Sequence, residues 1–414
     1  MFDLVDLLSK NETKEDIKQE KITSVLFYQT DVCQQLVTEA YRFEGIVAPA
    51  VLENTDAKIK EFVRESSIEI VLVELNNSAN VTQDAERISH LLPNHASVIV
   101  IGSEDAISTI RNLKAMGFYY LFWPITKQEL IDFVRSVSEN RERNKGPGQN
   151  RKAKQVSIIG SKGGVGATLL TTEISCLLAT EKKASCLVVD HNYGGGNLDI
   201  VMGLKQFEKR KLQPGSLASN LDEASAQSLV TKQSSMLSIL ALSSDELNDQ
   251  ELKDYTRAVA KEVAGDANFI VEDLSASAGF TPDPKALVTL CDSIVLVIEP
   301  SVSSLRDAAK IRSEIAKENN NSALRIITVL NYRIPPRLAT VTEKEVEKFL
   351  GQPIDVILPY EPKVDSVLLE GKRIYGTKLK MSQGVRKLTS LLLGEEIKKK
   401  KSLPINLFTK KVKS

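Results

Sequence analysis

The chain has little that would tie it to a metal, a membrane or an oxidising compartment. Its four cysteines, Cys33, Cys176, Cys186 and Cys291, include no pair at metal or redox spacing. They read as small buried apolar residues in a reducing compartment. The three histidines, His90, His95 and His191, are too dispersed for a metal site, and surface or capping roles account for them. Apolar runs such as SIVLVIEP are strand-length, far below the ~20 residues that cross a bilayer. The opening MFDLVDLLSK carries two aspartates and no basic start, so it does not read as a secretory signal. Charge of one sign is missing too. Basic and acidic residues number 54 each, so no global field draws the molecule to nucleic acid or anionic lipid.

What is present describes a soluble α/β protein. With 414 residues the chain is too long for one ordinary core, and two domains are expected. Residues 1–21 form an N-terminal segment with a short apolar opening (Phe2, Leu4, Val5, Leu7, Leu8), read as a frayed terminus. Over 22–138, the β-rich runs SVLFY, IEIVLVEL and ASVIVIG alternate with the helical stretches AKIKEFVRESS and TQDAERISHLL. Such alternation predicts a parallel sheet covered by helices on both faces. Residues 139–154, ENRERNKGPGQNRKAK, read as a flexible basic linker. A larger alternation over 155–394 has VSIIG, CLVVD, MLSILAL, NFIVEDL, SIVLVIEP and RIITVLN as strands. The expected fold class is therefore α/β, with two doubly wound three-layer domains. Residues 395–414 form a basic tail, with Lys398 to Lys401, Lys410, Lys411 and Lys413. Pro404 interrupts any amphipathic helix there, so a solvated tail is favoured over membrane contact.

The chemistry concentrates in SKGGVGATLL, from Ser161. VSIIG ends a strand, the Gly-rich turn follows, and LLTTEISCLLATEKK continues as a helix. Glycines let backbone N–H groups converge on phosphate oxygens, and the helix N-terminus adds its positive end. Thr168 is placed to ligand Mg2+. CLVVD ends in Asp190, while FIVED ends in Asp273. Both place a carboxylate at the carboxyl end of a predicted strand, where open α/β sheets bind ligands. Asp273 suits a Mg2+-holding role through water.

KGGVGAT resembles the deviant phosphate loop of the ParA/MinD ATPases. That resemblance implies ATP or ADP with Mg2+, bound by Ser161, Lys162, Gly163, Gly164, Val165, Gly166, Ala167, Thr168 and Leu169. It implies that Lys162 reaches across a nucleotide-sandwiched homodimer, and that Asp190 takes a catalytic role beside it. It also implies that Asn331 in TVLNYR reads adenine and that Pro359 in LPYEP lies beside the base. Within that group the chain resembles the TadZ/CpaE pilus assembly proteins, through SKGGVGAT, DSIVLVIEPSVSSLRDA and a receiver-like (flavodoxin-like) first domain. IEIVLVELNN looks like the third strand of a receiver, but Glu74 stands at the phosphoacceptor position. SVLFYQTDV offers no acidic pair, and Trp123 replaces the switch lysine. Phosphotransfer is thereby disfavoured. Tyr119, Tyr120, Phe122 and Trp123 gather aromatic area that reads mainly as core packing, with a protein-docking face as the alternative.

Three departures bear on catalysis. Ala167 removes the loop lysine, Leu169 removes a hydroxyl, and Asn192 removes a carboxylate expected to help the attacking water. Phosphoryl transfer depends on positioned charge, so these losses slow hydrolysis more than they weaken binding. The expected function is an ATP-binding, dimerising localisation and assembly factor for a Flp-type (tight adherence) pilus or a type IV pilus-like secretion machine. At most it is a slow ATPase. Its implied partners are other apparatus proteins, the secretion ATPase among the candidates, with the basic tail as a candidate peripheral membrane contact. The expected location is the cytoplasm, with recruitment to a pole or an inner-membrane complex. The alternative is a cycling ParA/MinD-type ATPase for DNA partition or for placing division or flagellar sites. That reading wants the missing lysine and carboxylate, and DNA binding wants a strongly basic folded face.

Overall fold

Five short strands, each followed by a helix, build the first sheet. In the computed structural model they are β1 (Ser24–Tyr28), α1 (Asp31–Phe43), β2 (Ala50–Glu53), α2 (Asp56–Phe62), β3 (Ile70–Glu74), α3 (Val81–Ser89), β4 (Ser97–Gly102), α4 (Ile107–Ala115), β5 (Tyr119–Phe122) and α5 (Lys127–Glu142). The structure describes residues 23–63, 68–142, 152–205, 207–212, 221–275, 283–319 and 324–395. The N-terminal segment 1–21, most of the linker and nearly all of the basic tail lie outside the described residues.

All pairings in the first sheet are parallel, in the order β2-β1-β3-β4-β5. This is the flavodoxin-like doubly wound order. β3 and β4 are buried at every position, as strands must be when helices cover both faces. Thr30, Thr55 and Asn80 accept bonds from first-turn amides and so start α1, α2 and α3. β2 and β5 escape the sequence reading because each is a four-residue edge strand, too short for an alternation to show. Most of the aromatic group packs inward. Tyr119 meets Phe133 edge-on at 6.2 Å, Tyr120 donates its hydroxyl to Glu104 O at 2.7 Å, and Trp123 lies half-buried against the core. Phe122 stays 47% exposed.

The second sheet is larger. Its elements are β6 (Lys154–Gly160), α6 (Ala167–Leu177), β7 (Cys186–Asp190), α7 (Leu198–Met202), β8 (Arg210–Lys211), α8 (Glu223–Leu229), β9 (Thr231–Ser234), β10 (Leu237–Ser243) and α9 (Asp249–Glu262). There follow β11 (Phe269–Leu274), α10 (Pro284–Leu290), β12 (Ser293–Ile298), α11 (Val302–Glu318), β13 (Arg325–Asn331), α12 (Glu343–Leu350), β14 (Val356–Leu358), α13 (Val364–Leu369) and α14 (Lys380–Leu392). The order is β14-β13-β12-β6-β11-β7-β10-β8, parallel throughout, with β9 antiparallel beside β10. All six strands read from sequence are present; the short β8, β9 and β14 carried no pattern. β6 lies between β11 and β12, where the winding reverses, and a ligand crevice opens at such a point.

α5 runs through Glu142, into the stretch read as linker, because Glu139 and Arg141 are good helix formers. The two sheets meet near their amino ends. Asn268, just before β11, donates Nδ2 to Leu92 O at 2.9 Å, while its Oδ1 accepts from Ser185 N at 2.8 Å. His90 packs on Phe269 with ring centres 5.4 Å apart and is 4% exposed, so it is an interface residue rather than a surface one. This contact lies at the opposite end of the second sheet from its carboxyl-end crevice. Among the described residues no helix is long and apolar enough to cross a membrane.

Candidate nucleotide site

β6 ends at Gly160, the turn runs from Ser161 to Gly166, and α6 starts at Ala167. The backbone takes φ +78° at Gly164 and +99° at Gly166, both left-handed. A side chain at 166 is excluded twice over, because its Cβ would also lie 2.6 Å from Asn331 Nδ2. The turn borders a cavity of about 550 Å3, which Asn331, Tyr332, Arg333, Pro359 and Tyr360 close from the far side. First-turn amides of α6 have no partner within the helix and point into this space. A cradle that excludes Cβ atoms, opening on a cavity of this size, fits a nucleotide phosphate chain.

Strand register brings the two aspartates together. Asp190 on β7 and Asp273 on β11 are direct partners, so their side chains share a face. Asp273 is 1% exposed, and its carboxyl is pushed up to about 7, chiefly by burial and next by the Asp190 charge. Bonds from Thr168 and Ser275 act the other way. Asp190 is held by Lys209 Nζ at 2.9 Å and by Asn192 N at 2.9 Å. Oxygen donors from a threonine and adjacent buried carboxylates suit a hard cation such as Mg2+. No cluster of three His, Cys, Asp or Glu able to hold a metal occurs among the described residues. A Mg2+ here would thus need phosphate oxygens as well.

Lys162 sits at the cavity rim, a third exposed, and pairs with Glu299 Oε1 at 2.6 Å. Glu299 follows β12, the strand beside β6, and accepts from Ser301 Oγ at 3.0 Å. Ser161 Oγ and Ser304 Oγ lie 2.7 Å apart. The EPSVSS stretch is therefore wired to the phosphate loop, through contacts that sequence spacing hides. Asn331 lines the cavity and also contacts the loop. It is 3% exposed and donates Nδ2 to Val165 O at 2.9 Å, so it braces the loop from below. Pro359, Ala167, Thr168, Leu169 and Asn192 all line the cavity, and Leu169 also packs on the core.

Glu299, Lys209 and Arg333 are missed by the sequence reading, and only the acid after β12 left a signal. The histidine expectation also needs correcting at His191. It is 3% exposed, with Nδ1 2.6 Å from Tyr193 Oη and Nε2 3.3 Å from Glu272. Alternation along β11 sends Glu272 to the face opposite Asp273, where Arg257 Nε donates at 3.1 Å and Ser157 Oγ at 2.6 Å. Burial alone would raise the Glu272 carboxyl, but His191 and then Arg257 hold it far below the carboxylate range. Cys33, Cys186 and Cys291 are buried, Cys176 is half-buried, and all are free.

In the first domain, Glu74 is fully buried at the carboxyl end of β3. Its carboxylate accepts from Gln29 N at 2.6 Å, Thr30 N at 2.8 Å, Thr30 Oγ1 at 2.6 Å and Asn76 Nδ2 at 2.8 Å. Four donors saturate it and tie the β1 and β3 loops together.

No family model matches the chain. Sequence comparison finds the septum site-determining protein MinD of Helicobacter pylori, 26% identical over 251 residues, covering 58% of this chain and 91% of that protein. It also finds an uncharacterized ATP-binding protein of Methanocaldococcus jannaschii, 26% identical over 246 residues, covering 58% and 89%. Among solved structures, MinD complexed with Mg-ADP from Pyrococcus horikoshii is 20% identical, covering 58% of this chain and 96% of that one, with a TM-score of 0.45. The sequence matches support a ParA/MinD-like P-loop ATPase relationship.

Proposed function

We propose that the protein is an ATP-binding, dimerising localisation and assembly factor for a Flp-type or type IV pilus-like secretion machine, with weak or absent hydrolysis. The observation that carries the binding reading is the meeting of Thr168, Asp190 and Asp273 beside a glycine-lined cavity that lacks the loop lysine. ATP or ADP would lie along Ser161 to Leu169, with Mg2+ held by Thr168 and, through water, by Asp273. Mg2+ would supply charge neutralisation to the phosphates. Asp190 would position the neighbouring carboxyl and the 192–197 turn. Asn331 and Pro359 would border the base. Lys162 would leave Glu299 and reach a second copy's phosphates.

The pilus assignment is supported by SKGGVGAT and EPSVSSLRDA, and by a first domain, residues 22–138, read as a receiver without phosphoacceptor. Glu74 leaves that domain no acceptor chemistry, which suits an adaptor that docks on apparatus proteins. Residues 155–394 would form the nucleotide domain, joined through the basic linker and followed by the basic tail. A cytoplasmic protein recruited to a pole or an inner-membrane complex is the setting this role requires. The MinD similarity favours the second reading, a cycling ATPase for partition or site placement. Measuring ATP turnover and imaging a fluorescent fusion in the native cell, with and without the secretion apparatus, separates the two. Low turnover with apparatus-dependent foci supports the proposal. Brisk turnover without a partner, or nucleoid-wide signal, selects the cycling ATPase.

A further inference from the structure

We propose that Arg333 supplies the phosphate-directed cation that Ala167 took out of the loop. The proposal rests on the nucleotide reading above and adds a residue to it. Among the charged side chains lining the cavity, the cations are Lys162 and Arg333, and the acids are Glu361 and Asp365. Lys162 is already engaged by Glu299 at 2.6 Å. Arg333 makes no ion pair among the described residues, so its charge is available to a ligand.

Its position is specific. Arg333 lies two residues beyond the end of β13, whose last residue, Asn331, braces Val165. A Cβ built on Gly164 would lie 3.1 Å from Arg333 Nη1, which places the guanidinium directly over the glycine turn. Gly164 takes φ +78°, so the turn needs glycine there for its backbone as well. In the usual arrangement a lysine from the first turn of the helix follows the phosphates. Here that position is an alanine only 4% exposed, and the cation arrives from the opposite wall of the cavity. A guanidinium suits the task, because its planar fork can donate two bonds to a phosphate and keeps its charge at every accessible pH.

Calorimetric titration of parent, Arg333→Ala and Arg333→Lys with Mg-ATP, Mg-ADP and adenosine tests the assignment, with adenosine read by competition against a labelled nucleotide. The side chain is exposed, so both variants should keep the parent's melting profile. Arg333→Ala should weaken ATP and ADP about ten- to hundred-fold and leave adenosine unchanged. Arg333→Lys should recover part of the loss. Equal ATP affinity for parent and Arg333→Ala would overturn the proposal while leaving the nucleotide reading intact. An equal loss for adenosine would also overturn it, because the residue would then be stacking on the base. A parent that binds neither nucleotide would sink the underlying reading and this proposal with it.

Discussion

Replacing Asp273 with asparagine should stabilise the nucleotide-free protein above neutral pH, although it removes a carboxylate from the site. Asp273 keeps its proton up to about 7 in the folded chain, against an ordinary value of 3.8. Burial is the main cause and the Asp190 charge the second. A carboxyl raised in this way stabilises the fold fully below about pH 4, where both states are protonated. Between there and pH 7 the unfolded chain releases its proton while the folded one keeps it, so stability falls as pH rises. Above pH 7 the folded protein holds two adjacent buried carboxylates. The gap from 3.8 to about 7 corresponds to roughly 4 kcal/mol, on the order of 2–3 kcal/mol of it lost between pH 5 and pH 8. The Asp273→Asn variant carries no charge at this position at any pH. The difference in unfolding free energy, variant minus parent, should therefore grow with pH by about that amount in urea titrations with EDTA. If Mg-ATP binds as proposed, saturating Mg-ATP should reverse the order, since the cation would neutralise the parent's carboxylates and the variant would lose that gain. A pH-independent difference in EDTA, or one that shrinks as pH rises, would refute the electrostatic account of this pair.

Lys162→Ala should shift the dimer equilibrium at saturating ATP toward monomer by about tenfold or more, while monomer stability changes by about 1 kcal/mol or less because Lys162 is a third exposed and Glu299 also accepts from Ser301 Oγ. Equal dimer fractions in sedimentation would remove Lys162 from the interface. Asn192→Asp returns a carboxylate to the cavity wall and should raise ATP turnover about tenfold or more in a phosphate-release assay, with nucleotide affinity nearly unchanged. Unchanged turnover would show that the carboxylate is not what limits hydrolysis. Asn268→Ala removes the amide that joins Leu92 O to Ser185 N and should cost about 1–3 kcal/mol in urea unfolding. A value near zero would mean that the contact between the sheets carries no stability.

Local patterns in the chain determined the strand–turn–helix at Ser161, the aspartates at the ends of CLVVD and FIVED, and the alternation that makes a doubly wound sheet. Hydrophobic runs, glycines and strand-end acids are short-range signals, so they survive without knowledge of the partner strands. Edge strands of two to four residues do not carry such a signal, and β2, β5, β8, β9 and β14 were invisible for that reason. Long-range pairing decided the rest. Setting β11 beside β7 made Asp190 and Asp273 neighbours and raised one of them. Setting β12 beside β6 gave Lys162 its acid, although 137 positions separate it from Glu299. Folding β13 under the loop turned Asn331 into a brace and brought Arg333 over Gly164. Charge–charge energies and close packing depend on distances of a few ångströms, and only the folded chain sets those distances.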